Sequence, residues 1–113
     1  MLHGIALLPR LMVAVLLLVA GTLPAQQPVA VPQLTGRVVD LTGTLSAADK
    51  TGLEGRLADL EARKGSQIAV LLVPTVRPEA IEQFAIRVVD QWQLGRKDVD
   101  DGVLLLVAKD DRE

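Results

Sequence analysis

Three apolar runs stand out along the chain. Leu11–Ala20 (LMVAVLLLVA) is unbroken, and two shorter runs follow much later, Gln67–Val73 (QIAVLLV) and Gly102–Ala108 (GVLLLVA). The shorter two have strand length and branched residues, and an all-apolar strand implies cover on both faces, as in parallel sheets. Between them the pattern changes to helical spacing. Across Ser46–Lys64, Leu53, Leu57 and Leu60 recur at i, i+4 and i+7 and form one stripe, with Glu54, Asp59, Glu61 and Arg63 suited to the solvated side. Ser46 is a good N-cap, Asp49 lies three residues on, and Lys64–Gly65 suits a helix end and left-handed cap. Gly52 and Gly55 each weaken this helix by about 1 kcal/mol relative to alanine, a cost that a close neighbour would explain. Arg77–Trp92 reads as a second helix with Pro78 at its first position and Glu79 and Glu82 in its first turns. Ile81, Phe84, Ala85, Val88 and Trp92 line its apolar face, and Gly95 ends it.

Strand, helix, strand makes a βαβ unit, right-handed in nearly all cases. With a helix preceding it, the fold class is α/β, a central sheet flanked by helices. The proline-bearing stretch Gln26–Gln33 reads as a mobile linker, so that residues 26–35 connect to a domain over 36–113. Two strands are a thin sheet, since three or more are normally needed for stability. Lys109–Glu113 (KDDRE) is a polar cluster directly after an apolar strand, so the domain is expected to be incomplete at its C-terminal end. An open hydrophobic strand edge would follow, and with it self-association.

The first 25 residues have a different character. Arg10 precedes the greasy run, and Gly21–Ala25 leads from it into polar Gln26 and Gln27. Charged start, apolar middle and small residue before a polar stretch are the parts of a signal peptide, with cleavage after Ala25. A spanning helix needs about 20 apolar residues, and Arg10 interrupts too early, which favours cleavage over retention as an anchor. The chain is thus expected to be exported, to a periplasmic or other extracytoplasmic site.

The formal net charge is −2, from 12 Lys/Arg and 14 Asp/Glu, and losing the leader removes only Arg10 from that balance. The charges are interspersed, with no basic stripe for nucleic acid. There is no cysteine, which excludes disulfides, thiolate metal sites and thiol catalysis. The only histidine, His3, lies in the leader, so a Ser-His-Asp triad or a histidine metal ligand is excluded from the rest. No glycine-rich phosphate loop for a nucleotide cofactor and no nucleophile elbow are present.

Chemistry must therefore rest on carboxylates, hydroxyls and basic groups. In Gly95–Gly102 (GRKDVDDG), Asp98, Asp100 and Asp101 are hard oxygen ligands suited to Ca²⁺ or Mg²⁺. An EF-hand reading fails, because Gly102 comes one place early and Lys109 stands where a glutamate is needed. The alternative is a solvated loop whose aspartates cap backbone N–H groups, and spacing alone favours it. A second pair, Asp110 and Asp111, follows the strand, about 30 Å from Asp101 at 3.3 Å per residue. Ligands of open α/β sheets gather at the carboxyl ends of strands, the end of Pro74, Thr75, Lys109 and Asp110. Asp40 is a further candidate, either a ligand or, with better odds, a turn aspartate bonded to nearby backbone. Trp92 is better read as core than as a ligand platform, and Arg96–Lys97 as surface.

Five ordered pieces carry a resemblance: Val39–Ser46 (VDLTGTLS), Gln67–Val73 (QIAVLLV), Ile81–Ala85 (IEQFA), Trp92–Arg96 (WQLGR) and Asp100–Val107 (DDGVLLLV). Over residues 34–113 the chain resembles the TPM domain family, named for a thylakoid lumen protein, a photosystem II repair protein and a nematode receptor modulator. The resemblance implies an α/β sandwich, usually exported and often followed by a membrane anchor. Some members are associated with acid phosphatase activity, some with divalent metal binding, and some with assembly or repair of membrane-protein complexes. Asp40, Asp100 and Asp101 fall on the family's recurrent acidic positions, and Asp98 joins them as a candidate metal ligand from its place in the Gly95–Gly102 run. The strand and helices that the family places after Arg112 are absent from this sequence. Two functions follow as expectations: an extracytoplasmic interaction module for membrane proteins, or a metal-dependent phosphatase.

Overall fold

The computed structural model describes residues 27–95 and 101–111. Its elements are β1 (Val38–Asp40), α1 (Ala47–Lys64), β2 (Ser66–Val73), α2 (Ile81–Trp92) and β3 (Asp101–Ala108). The three strands form one parallel sheet in the order β1-β2-β3. This is the α/β class expected from the two apolar runs, with a third, short strand beside them.

The register fixes two faces. Val38, Val70 and Leu105 are neighbours on one face, and Val39, Leu71 and Leu106 on the other. On the first face Leu57 of α1 packs against Val38, Val70 and Leu72, with Leu45, Leu53 and Ile68 around them. On the second, Phe84, Val88 and Trp92 of α2 pack with Val76 and Leu94 against Val39, Ala69, Leu71 and Val73. Phe84, Leu71 and Val38 lose all contact with solvent. Strand β2 is thereby covered on both sides, as its composition requires.

The helices lie on opposite faces although both crossovers step the same way across the sheet. Two crossovers so related have opposite hands, so only one obeys the right-handed preference. Placing both helices on one face would have left the other face of β2 bare. The arrangement leaves a smaller gap instead: α1 covers β1 and β2, while Val103, Leu105 and Val107 of β3 stay 50%, 56% and 38% exposed on its side. Among the described residues no element covers that face of β3.

Several expectations are corrected. The second helix begins at Ile81, not at Arg77, with Ala80 as N-cap and a cis peptide between Arg77 and Pro78. Residues 76–79 form a turn closed by Glu79 N–H on the Val76 carbonyl at 3.1 Å, and Glu79 accepts from Arg87 at 2.7 Å instead of capping a helix. At the other end Gln93 takes the left-handed cap, ahead of Gly95. The stretch read as a mobile linker is tied down over its described part. Trp92 Nε1 donates to the Pro32 carbonyl at 2.8 Å, Arg87 donates to Val29, and Val29 and Val31 pack on the α2-side core. Glu54 and Glu61 are not merely solvated. Glu54 accepts the N–H groups of Arg37 (3.0 Å) and Val38 (2.7 Å), and Glu61 pairs with the Arg37 guanidinium. Helix α1 is otherwise as expected, with Ser46 accepting from Asp49 N–H and Gly65 in the left-handed region. No neighbour lies near Gly52 or Gly55, so close packing does not explain them.

Candidate functional site

All three strands run the same way, so their carboxyl ends share one rim of the sheet. Asp40 ends β1, Pro74 and Thr75 follow β2, and Asp110 and Asp111 follow β3. The rim begins with Asp40. Its Oδ1 accepts the Thr42 N–H (2.9 Å) and the Thr42 hydroxyl (2.6 Å), and its Oδ2 accepts the Leu45 N–H (2.8 Å). The Thr42 hydroxyl bond, then the Leu45 N–H, hold this carboxyl down from its ordinary 3.8 to about 2. The local sequence explains the geometry: Gly43 takes the left-handed turn and Thr42 and Thr44 share a hydroxyl bond of 2.6 Å. Asp40 is thus the turn aspartate that its surroundings suggested, and it aims the chain into the Ser46 cap of α1.

Asp111 does the same at the far strand, but across the chain. Its Oδ1 accepts the Thr75 hydroxyl at 2.7 Å and its Oδ2 the Val76 N–H at 2.8 Å, with Arg77 Nε at 3.4 Å. The Val76 N–H, then the Thr75 hydroxyl, then the Arg77 charge all lower its pKa. Lys109 and Asp110 N–H groups bond the Val73 and Pro74 carbonyls at 2.9 and 2.8 Å, which staples the β3 exit to the β2 exit. Beside this staple lies an open cleft of roughly 340 Å³ lined by Val76, Arg77, Glu79, Ala80, Ile81, Glu82 and Asp111.

Asp101, the described member of the acidic stretch, lies at the other end of the sheet. Asp101 opens β3 opposite Ser66 and is exposed, seven strand residues from the rim, or about 23 Å at 3.3 Å each. Asp40 and Asp101 are therefore not brought together, and Asp98 and Asp100 lie outside the described residues. The loop's neck is formed by two glycines. A Cβ on Gly102 would stand 2.5 Å from Gly95 N, and one on Gly95 would stand 2.7 Å from Gly102 N, so backbone passes against backbone. Gly95 N–H also donates to Gln67 Oε1 at 3.1 Å.

Asp111, Thr75, Arg77 and Glu54 carry structural roles that the sequence reading did not assign. Glu54 and Glu61 had a signal, because seven residues apart they share a face beside Leu57. The Asp111–Thr75 pair spans 36 positions, and its signal was the shared carboxyl end of two parallel strands, which gathers Thr75 with Lys109 and Asp110. Among the described residues no three His, Cys, Asp or Glu side chains are grouped to hold a metal ion, and no helix is long and apolar enough to cross a membrane.

No curated protein matches the chain. The family model described as TPM domain matches residues 38–113, from the first strand through the stapled rim. With that match over most of its length, and with the α/β sheet described above, the chain belongs to the TPM domain family.

Proposed function

We propose that this TPM-domain chain is exported and acts outside the cytoplasm, in a periplasm-like compartment, as an interaction module for membrane-protein complexes. The leader-like pattern of residues 1–25 supports export. The observation that carries the interaction reading is the engagement of two rim carboxylates, Asp40 and Asp111, by their own loops. Asp40 and Asp111 each have both oxygens engaged by loop N–H and hydroxyl groups, and both are held in the ionised form. A general acid needs a pKa near working pH, which is the opposite perturbation. With no cysteine and no histidine outside the leader, the rim lacks an activated nucleophile of either type.

What the two carboxylates build is a fixed surface. The cleft beside Asp111 sets apolar Val76, Ala80 and Ile81 among charged Arg77, Glu79 and Glu82, a mixture that suits a polypeptide segment. Ca²⁺ takes roughly six to eight oxygen ligands, and the described donors do not fit it or Mg²⁺ on their own. No step of the proposed function runs through a metal.

The test places a photoreactive benzoylphenylalanine at position 81, in the cleft, and a control at exposed position 56 on α1. The proposal expects a discrete adduct with a membrane-fraction protein from position 81 and none from 56, with the adduct lost in Asp111→Asn. Equal labelling from both positions, or a chain confined to the cytoplasm, would overturn it.

A further inference from the structure

Residues 29–32 belong to no strand or helix, yet helix α2 holds them by their backbone. Nη1 and Nη2 of Arg87 both donate to the Val29 carbonyl at 3.2 Å, and Trp92 Nε1 donates to the Pro32 carbonyl at 2.8 Å. Every residue has a carbonyl, so these two donors fix a backbone path and leave the sequence open. The side chains add the selectivity. Val29 and Val31 pack on the core while Ala30 between them is exposed, which is the alternation of an extended segment.

The receiving surface is built by other parts of the fold. Arg87 is held by Glu79 at 2.7 Å and lies 5.6 Å from the centre of the Phe84 ring. Phe84, Val88 and Trp92 are fixed in the core that α2 forms with β2. This side of α2 is turned away from β3, because Ala85, Ile86 and Val89 flank Leu104 on the other side, whereas residues 33–37 lead the segment directly into β1. Two fixed donors above an apolar floor form a surface already organised for an extended polypeptide. The hold of residues 29–32 on it is modest. Two partly buried valines and the bonds to two carbonyls are offset by the entropy lost in ordering the segment.

We propose that this face of α2 is a binding site for an extended polypeptide with valine-like side chains at alternate positions followed by proline. Residues 29–32 occupy the site in cis, and a partner segment of the same chemistry displaces them. The partner's first valine-like residue offers its carbonyl to Arg87 and its proline offers one to Trp92. A charge at either valine position would be driven into the apolar floor and is excluded. This goes beyond the proposed function, which uses the rim cleft, and either can fail alone.

Trp92 is the only tryptophan and there is no tyrosine, so its emission reports this site alone. In the full chain, Val29→Asp together with Val31→Asp should release the segment. Trp92 emission should move to the red and acrylamide quenching rise at least twofold, with cooperative urea unfolding retained. A synthetic peptide of residues 27–34 (QPVAVPQL) should then bind the variant saturably and return the emission to its parental position. The same peptide carrying both aspartates should bind at least tenfold more weakly. The parent chain should also bind QPVAVPQL at least tenfold more weakly than the variant does, because its own segment competes. Unchanged emission in the variant, no recovery with the peptide, or equal affinity of parent and variant would overturn the proposal. So would a variant that no longer unfolds cooperatively, since residues 29–32 would then be part of the core. A parental dimer that the two aspartates dissociate would overturn it as well, by making the occupant the segment of a second copy.

Discussion

Replacing Asp40 by alanine removes the acceptor of three bonds at once: the N–H groups of Thr42 and Leu45 and the hydroxyl of Thr42. Hydrogen bonds to a charged acceptor contribute about 1.5–3 kcal/mol each when buried. This turn is only partly buried, and the freed N–H groups can turn to water, so the summed loss is about 2 kcal/mol. Asp40→Asn keeps an oxygen for Thr42 but presents N–H to the Leu45 N–H, and should lose about 1 kcal/mol. In a domain of this size 2 kcal/mol corresponds to a drop in Tm of roughly 10 °C. The pH dependence has a definite sign. The folded carboxyl titrates at about 2, below its ordinary 3.8, so its stabilisation is complete above about pH 4 and fades as pH falls toward 2. Urea melts of the parent and both variants at several pH values measure all of this. A loss under about 0.5 kcal/mol, or a gap that stays constant from pH 7 to pH 2.5, would refute the assignment of Asp40 as a loop organiser.

Other outcomes follow from the same reasoning. Gly52→Ala and Gly55→Ala, at exposed helical positions with nothing near an added Cβ, should each raise stability by about 1 kcal/mol in a thermal melt. Gly102→Ala should lower it by more than about 1 kcal/mol, since the new methyl meets the Gly95 backbone, and a neutral result would show that the loop neck is loose. Mass spectrometry of the exported protein should find an N-terminus near Gln26, whereas intact Met1 in a soluble cytoplasmic pool would contradict export.

Strands β2 and β3 and the first helix were legible because local signals and tertiary demands agree there, whereas the three-residue β1 was not read as a strand. Val73 is followed by Pro74, Ala108 by charged residues, and Ser46 and Gly65 cap α1 where the apolar stripe begins and ends. The start of α2 was misread because Pro78 suits a helix start and a turn alike, and the Asp111 bonds to Thr75 and Val76 that hold the turn come from elsewhere in the fold. Residues 29–32 carry loop composition and gave no sign that Trp92 and Arg87 would hold them. At the site, Asp40 was legible as a turn residue within VDLTG. Asp111 was visible as an acid and Thr75 as a neighbour at the same strand end, but their hydrogen bond was not, since the exact register of β2 and β3 sets it.

On the proposed function, Asp40 and Asp111 shape a recognition surface and do not perform acid–base chemistry. Phosphomonoester hydrolysis is the decisive assay, measured with 4-nitrophenyl phosphate from pH 4 to 8, with and without Ca²⁺ or Mg²⁺, for the parent chain and Asp111→Asn. The expected result is no saturable turnover in either protein, together with loss of the position-81 adduct in the variant. Saturable hydrolysis by the parent, abolished in an Asp111→Asn protein that still unfolds cooperatively, would contradict it and make the chain an enzyme.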